Sequence, residues 1–254
     1  MIARRTILAA SLLGLTPFEA AAVGRRRRIT QGELDDAIDQ HAKWLDGRGS
    51  GRRANFSSCD LSGLDFGINN PNQVVLRGAD FTEADLSGVQ GNDVNFHYAS
   101  FQYANLSFSH LRAPVFACAN LGKANCRNVV WGWPIPDSEL RAGKVRPLEQ
   151  AVFIGASLSG VIFYQARVRG YFNDCSLTGA SMAFADFSQS EFAGNESFNR
   201  FAYARLLRTK FHFATISSAK FNNAVIEGAD FLGSELHPRI AAHLLERDAK
   251  NVVA

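Results

Sequence analysis

Ala79-Asp80-Phe81-Thr82-Glu83-Ala84-Asp85-Leu86-Ser87-Gly88 states one five-residue unit twice: a small residue, then Asp, then a large apolar residue, then two variable positions. Stepping by five in both directions keeps the pattern without an insertion from Phe56 to Trp131. Sixteen large slots fall in that run, and thirteen hold Phe, Leu or Trp; the exceptions are Pro71, Gly91 and Cys126. Two residues before each slot stands a small or aliphatic residue, most often Ala, and Asp or Asn usually lies between. After an interruption the period resumes at Phe153, Leu158, Phe163 and Val168. It slips, runs Phe172, Leu177, Met182, Phe187 and Phe192, slips again, and continues from Phe201 to Leu236. The same slot recurring explains why the chain carries 20 Phe against 5 Tyr, 3 Trp and 2 Met.

A period of five matches neither the 3.6 of a helix nor the 2.0 of a strand. It describes a chain that turns a corner every five residues, with the large residue and the small one two before it pointing inward, because extended side chains alternate. Four corners close a coil of about 20 residues, and coils stack at the ~4.8 Å strand spacing. The tandem A-[DN]-[LF]-x-x array resembles the pentapeptide-repeat family. That resemblance implies an all-β fold, a right-handed quadrilateral β-helix, over about residues 52–236. Glu33-Leu34-Asp35-Asp36-Ala37-Ile38 through Ala54 looks like the leader segment of proteobacterial members.

The organisation expected is a signal-like segment at 1–24, a linker and N-terminal capping helix at 25–53, a first repeat block at 54–131, an insertion loop at 132–150, a second block at 151–236, and a C-terminal capping helix and tail at 237–254. About eight coils make a rod on the order of 40 Å long. The ends of a solenoid need cover. Thr30-Gln31-Gly32-Glu33 is a capping box opening a helix with Leu34, Ala37, Ile38, His41 and Leu45 as its apolar stripe. Pro238 suits a first helical position, followed by a stripe of Ile240, Ala241, Leu244 and Leu245. Either helix is alternatively a homodimer contact. Pro71 and Gly91 cannot fill large slots, so distortion is expected around Asn69–Asn72 and Gly88–Gly91.

Residues 1–24 have the parts of an export signal: Arg4-Arg5, an apolar Thr6–Phe18 stretch and small residues for cleavage. The Arg pair followed by Ile7 and Leu8 resembles a twin-arginine signal. Pro17, Glu19 and the Arg25–Arg28 block count against translocation. The reading is a periplasmic or otherwise exported protein, with a cytoplasmic protein and an uncleaved extension as the alternative. No apolar stretch reaches the ~18 residues of a spanning helix.

Catalysis finds little support. Cys59, Cys126 and Cys175 occupy inward positions, and only Cys118 points out, with His97 as a weak companion. The six His share no ligand spacing, so no metal or cofactor is expected. The repeat Asp and Asn are placed to bond nearby backbone. Between 54 and 236 the chain carries 14 Lys+Arg and 16 Asp+Glu. That balance is too even for an acidic duplex mimic, and Asp60–Asp80 and Asp65–Asp85, taken as neighbours one coil apart, give way to Ser and Asn above. Arg200, Arg205, Arg208, Lys210 and Lys220 form a belt and not a patch, so no nucleic-acid partner is expected.

The function expected is a non-enzymatic structural or protein-interaction scaffold whose protein partner the sequence does not name. The alternative, taken from family members that bind DNA gyrase, is a cytoplasmic regulator that binds a topoisomerase or another nucleic-acid enzyme by DNA mimicry. Candidate partner contacts are the outward aromatics Tyr98, Tyr103 and Phe108, with Tyr203 and Phe213 repeating them higher up, and Trp133, Ile135, Arg141, Lys144 and Arg146 of the insertion.

Overall fold

The computed structural model describes residues 26–67, 73–132, 150–192, 201–216, 221, 223–246 and 249–252. Its strands are short and parallel: β1 (Arg27–Arg28), β2 (Cys59–Asp60), β3 (Gln90–Asn92), β4 (His110–Arg112), β5 (Val130–Trp131), β6 (Ala151–Val152), β7 (Arg167–Val168), β8 (Gly170–Tyr171), β9 (Glu191–Phe192), β10 (Thr215–Ile216) and β11 (Glu235–Leu236). Helix α1 (Gln31–Leu45) precedes the array and α2 (Pro238–Leu245) follows it. Single parallel pairings such as Asp80 with Ser100 and Asn105 with Asn125 continue the ladder on the remaining sides. The result is a four-sided β-solenoid, and the slots on each side number eight. Side one runs from Phe56 to Phe221, side two from Leu61 to Ile226, side three from Phe66 to Phe231 and side four from Leu76 to Leu236.

The core is a stack of rings. Phe81 and Phe101 lie 4.7 Å apart at 5°, and Phe153 and Phe172 lie 4.5 Å apart at 10°. These separations match the strand spacing, so a Phe at the same slot in successive coils stacks by construction. Rings on adjacent sides meet edge to face, as Phe96 meets Phe101 at 86°. Each arrangement is a favoured aromatic geometry. Trp131 is buried, and its indole N–H donates to Ser109 Oγ at 2.8 Å.

The step between coils is not always 20. Asn55 pairs with Asp80 and Asp60 with Asp85, 25 residues on. The stacking of Asp60 on Asp80 and Asp65 on Asp85 is therefore wrong by one side. Five residues beyond the regular count are absorbed between Asp65, which pairs with Gln90, and Val75, which pairs with Asn95. Pro71 and the rest of Asn69–Asn72 lie outside the described residues. The distortion expected at Gly88–Gly91 does not occur. Gly91 sits in β3, paired in register with Leu111. A Cβ there would stand 2.9 Å from Val94 Cγ2 and 3.1 Å from Phe66 Cβ, so Phe66 fills the space and glycine leaves room for it.

The longest departure surrounds the insertion. Val115 pairs with Val152 and Val130 with Arg167, a step of 37. The coils on either side of the insertion therefore pair directly, with Gly132 and Gln150 at one corner of the rod; residues 133–149 lie outside the described residues. Gly132 N–H donates to Leu111 O, Ala151 N–H to Arg169 O and Val152 N–H to Pro114 O, at 2.9–3.0 Å. In the next coil the same corner is one residue short, with Ala151 facing Gly170. The Ser190 hydroxyl takes up the displaced backbone groups, accepting from Gly170 N–H and donating to Val168 O, each at 3.1 Å. Deleting Pro136–Arg146 should leave the melting temperature within a few degrees of wild type, because every ladder bond at the root lies outside the deleted stretch. A collapse of the far-ultraviolet signal at room temperature would show that the insertion is structural.

Both ends are closed by side chains that imitate a further coil. At the start, β1 pairs with β2 and Ile29 is buried, so part of the Arg25–Arg28 block is a rung of the ladder and not a linker. Arg28 Nη1 contacts Asp60 at 3.0 Å. Thr30 and Glu33 form the capping box reciprocally. The Gln31 amide donates to Asp65 O at 2.8 Å and accepts from Asp65 N–H at 3.0 Å, as a neighbouring strand would. His41 is fully buried; Nδ1 accepts from Ala54 N–H and Nε2 donates to Arg77 O, both at 3.0 Å. Of the expected stripe, Leu45 is exposed, as is Leu245 in α2, whereas Ile240, Ala241 and Leu244 are buried. After α2, Lys250 pairs with Asp230 and caps side three.

His41 makes the N-terminal cover sensitive to pH. Burial lowers its pKa from the ordinary 6.5; Arg53 adds to this, and the bond to Arg77 opposes it. Nδ1 must be unprotonated to accept from Ala54. The bound state therefore takes up fewer protons than the unfolded chain, so this stabilisation is complete above pH ~6.5 and is lost as pH falls from there towards the lowered folded pKa. Amide exchange at Ala54 should accelerate relative to Phe101 between pH 7.5 and 5. In His41→Leu the ratio should no longer depend on pH.

Candidate functional site

Most described corners consist of the two residues after a slot, and the second takes left-handed backbone whatever its identity; Gly67 and Gly132 take it one residue earlier, and Gly170 does not take it. Tyr98, Tyr103, Phe108, Tyr203 and Phe213 have φ of 54–61°. An L-residue pays ~1–2 kcal/mol for this conformation, which the ladder bonds on both sides of the corner offset. One consequence is functional: a side chain on left-handed backbone at a corner projects from the rod. Tyr98, Phe108 and Tyr203 are 55–64% exposed.

Tyr98, Tyr103 and Phe108 lie on successive corners of one coil, as the spacing predicts. They do not form one cluster. Tyr98 stacks on His97 at 4.1 Å, and the Arg77 guanidinium lies 5.4 Å from its ring centroid. Tyr103 is half-buried; its hydroxyl accepts from Lys123 Nζ at 3.2 Å, and that ammonium also lies 5.2 Å from the ring. Trp133, Ile135, Arg141, Lys144 and Arg146 lie outside the described residues, as do Arg200 and Lys220. Arg205 and Lys210 sit on different sides, as expected of a belt.

The acidic and amide residues are engaged in the corners. Asn55, Asp60, Asp80 and Asp85 each accept the backbone N–H two residues on, at 2.9 Å. On side two, Asn125 donates to Asn105 and Asn105 to Asp85, at 2.9 and 3.0 Å. Among the described residues no three His, Cys, Asp or Glu gather as metal ligands. None of the four Cys forms a disulfide. Burial raises the thiol pKa of Cys126 well above its ordinary value and that of Cys175 to about 12, which leaves neither a nucleophile at neutral pH. Cys118 is exposed, and His97 is held in its stack with Tyr98.

The family profile described as Pentapeptide repeats (8 copies) matches residues 75–112. The chain carries pentapeptide repeats over that segment. Solved pentapeptide-repeat proteins resemble it. HetL, involved in heterocyst differentiation regulation in the cyanobacterium Nostoc, is 20% identical, with 82% of this chain and 93% of that one covered and a TM-score of 0.42. QnrB1, a plasmid-mediated fluoroquinolone resistance protein, is 17% identical over 77% and 92%, at 0.32. A protein of the Arabidopsis thaliana thylakoid lumen is 16% identical over 80% and 83%, at 0.19. No curated protein sequence matches. Among the described residues no helix is long and apolar enough to cross a membrane.

What the sequence missed is a feature of side two. Phe184 is exposed and packs against Tyr164 at 5.7 Å, with Arg208 stacked over it at 6.0 Å. Coil steps of 37, 19 and 24 residues bring Asn125 to Ile162, Ser181 and Arg205. Equal steps of 20 do not put these residues together.

Proposed function

We propose that this protein is a non-enzymatic scaffold that binds another protein along the sides of its rod, in the periplasm or another exported compartment. The observation that carries the reading is the division of labour within the repeat. The inward positions are filled by stacked rings, and Asp60, Asp80, Asp85 and Asp186, carboxylates that could do acid–base work, each bond the corner backbone. The groups left projecting are aromatic side chains on left-handed corners, of the type enriched in interfaces. The mimicry alternative needs continuous carboxylate rows, and the row through Asp60 and Asp85 passes to Asn105 and Asn125.

A photo-crosslinking residue placed at Phe108 or Tyr203 of the full chain in its own cells should yield a discrete protein adduct, whereas one at Asp46 on the end cover should not. No adduct from any outward corner would overturn the scaffold reading. Fractionation with sequencing of the mature N-terminus tests the compartment: an end near Val23 supports export, and an intact Met1 in the cytoplasm removes it.

A further inference from the structure

The rod as a whole is close to neutral, but its charge is not evenly spread. Side two and the corners flanking it comprise residues 102–109, 122–129, 159–166, 178–185 and 202–209 in coils three to seven. None of the 16 Asp and Glu between 54 and 236 falls in these segments. Lys123, Arg127, Arg205 and Arg208 do. The same surface carries Tyr103, Phe108, Tyr164, Phe184 and Tyr203, of which all but Tyr103 are exposed. Arg205 and Arg208 are exposed as well. Carboxylates bound the surface: Glu83 and Asp85 below, Glu227 above, and on side three Asp186, which pairs with Lys210, itself paired in the next coil with Asp230, the partner of His212.

We propose that side two is the docking surface of the scaffold and takes an extended, acidic protein segment in which carboxylates alternate with large apolar residues. This deepens the scaffold reading and rests on it. Charge complementarity selects the sign: a cationic strip with no carboxylate of its own favours an anionic partner and repels a cationic one. Geometry selects an extended segment. Coils three to seven span about 19 Å along the rod at the strand spacing, about six extended residues. A strand laid edge-on along the rod axis would turn alternate side chains to its two flanks, apolar ones over the corner that bears Phe108, Tyr164 and Phe184, and carboxylates over Arg205 and Lys123 on the other flank. Phosphate chemistry fits less well. Four cations over this length are few against a duplex charge every ~1.7 Å.

The probe is a fluorescein-labelled peptide of about twelve residues alternating Glu with Leu and Phe, read by anisotropy at low and at about 0.3 M salt. A peptide with Lys in place of Glu and a single-stranded oligo-dT serve as controls. The full chain should bind the acidic peptide, more weakly in high salt. R205E/R208E should weaken it at least about tenfold, and Y164S/F184S should weaken it at both salt concentrations, with circular dichroism unchanged because all four side chains point outward. R48E/R239E, the same charge change on the end covers, should bind like wild type. Equal weakening by R48E/R239E would show net charge alone and overturn the proposal, as would no binding of the acidic peptide. Tighter binding of oligo-dT with the same loss in R205E/R208E would replace it with a nucleic-acid surface. If the cellular adduct forms equally in wild type and R205E/R208E, the scaffold stands and side two is not its docking surface. If no corner yields an adduct, the scaffold reading falls and takes this inference with it.

Discussion

Phe101→Ala is expected to destabilise the protein by about 3–5 kcal/mol, while Gln102→Ala next to it changes stability by less than about 0.5 kcal/mol. Phe101 is fully buried. It stacks on Phe81 at 4.7 Å and meets Phe96 and Phe116 edge to face at 5.1 and 5.5 Å. Truncation therefore removes one ring from a column and two edge contacts from the adjoining side. The rod cannot close the gap by sliding, because the coils are held at the strand spacing by ladder bonds such as Phe101 N–H to Asn120 O at 2.7 Å. In a solenoid each coil's stability depends on its neighbours. Exchange protection should accordingly fall most in coils two to four and least near Phe231. Equal losses for Phe101→Ala and Gln102→Ala would defeat the inward and outward assignment on which the whole reading rests.

The second large effect is expected at Gly132, where the insertion leaves the rod. Gly132 has φ +65°, and a Cβ there would stand 2.1 Å from Arg169 O and 2.9 Å from Ala151 N. Left-handed backbone by itself is tolerated at corners all along this chain, by residues as large as Tyr203. The decisive term is the close approach of two backbones, neither of which can rotate away. Gly132→Ala should cost about 3 kcal/mol, combining roughly 1–2 for the conformation with 1–3 for overpacking. Gly78→Ala is the comparison. It has φ +73° with nothing within 4 Å, and only the conformational part, about 1 kcal/mol, should appear. Matching melting temperatures for the two variants would show that the insertion root is looser than its hydrogen bonds indicate.

The repeat was legible because the period of five is set by the chain itself. A small residue, an acceptor that bonds the backbone two residues on, and a large apolar residue specify one side and one corner wherever they occur. Ala84-Asp85-Leu86 needs no distant information to be read as a side. The core list follows directly, as do the capping box at Thr30 and the helix start at Pro238. Registration between coils was not legible. Whether Asp60 lies under Asp80 or Asp85 depends on whether the five residues centred on Pro71 count as a side, and only the ladder answers that. An extra stretch at one corner shifts every later stacking partner without altering any local pattern.

The sequence by itself thus determined that a square, Phe-filled solenoid forms, which residues face inward, and where its covers begin, because each of these is a local property of five to fifteen consecutive residues. Only the tertiary structure decided which outward residues are neighbours. Ile29, Gln31 and His41 complete the first coil by reaching backbone groups 31–36 residues away. Phe66 fills the space that Gly91 leaves, although the two are a coil apart. Phe108, Arg127, Tyr164, Phe184 and Arg208 share one edge only because the coils between them have 20, 37, 19 and 24 residues. A surface patch is a sum over such steps, and a change in any one of them moves half its members to another side of the rod.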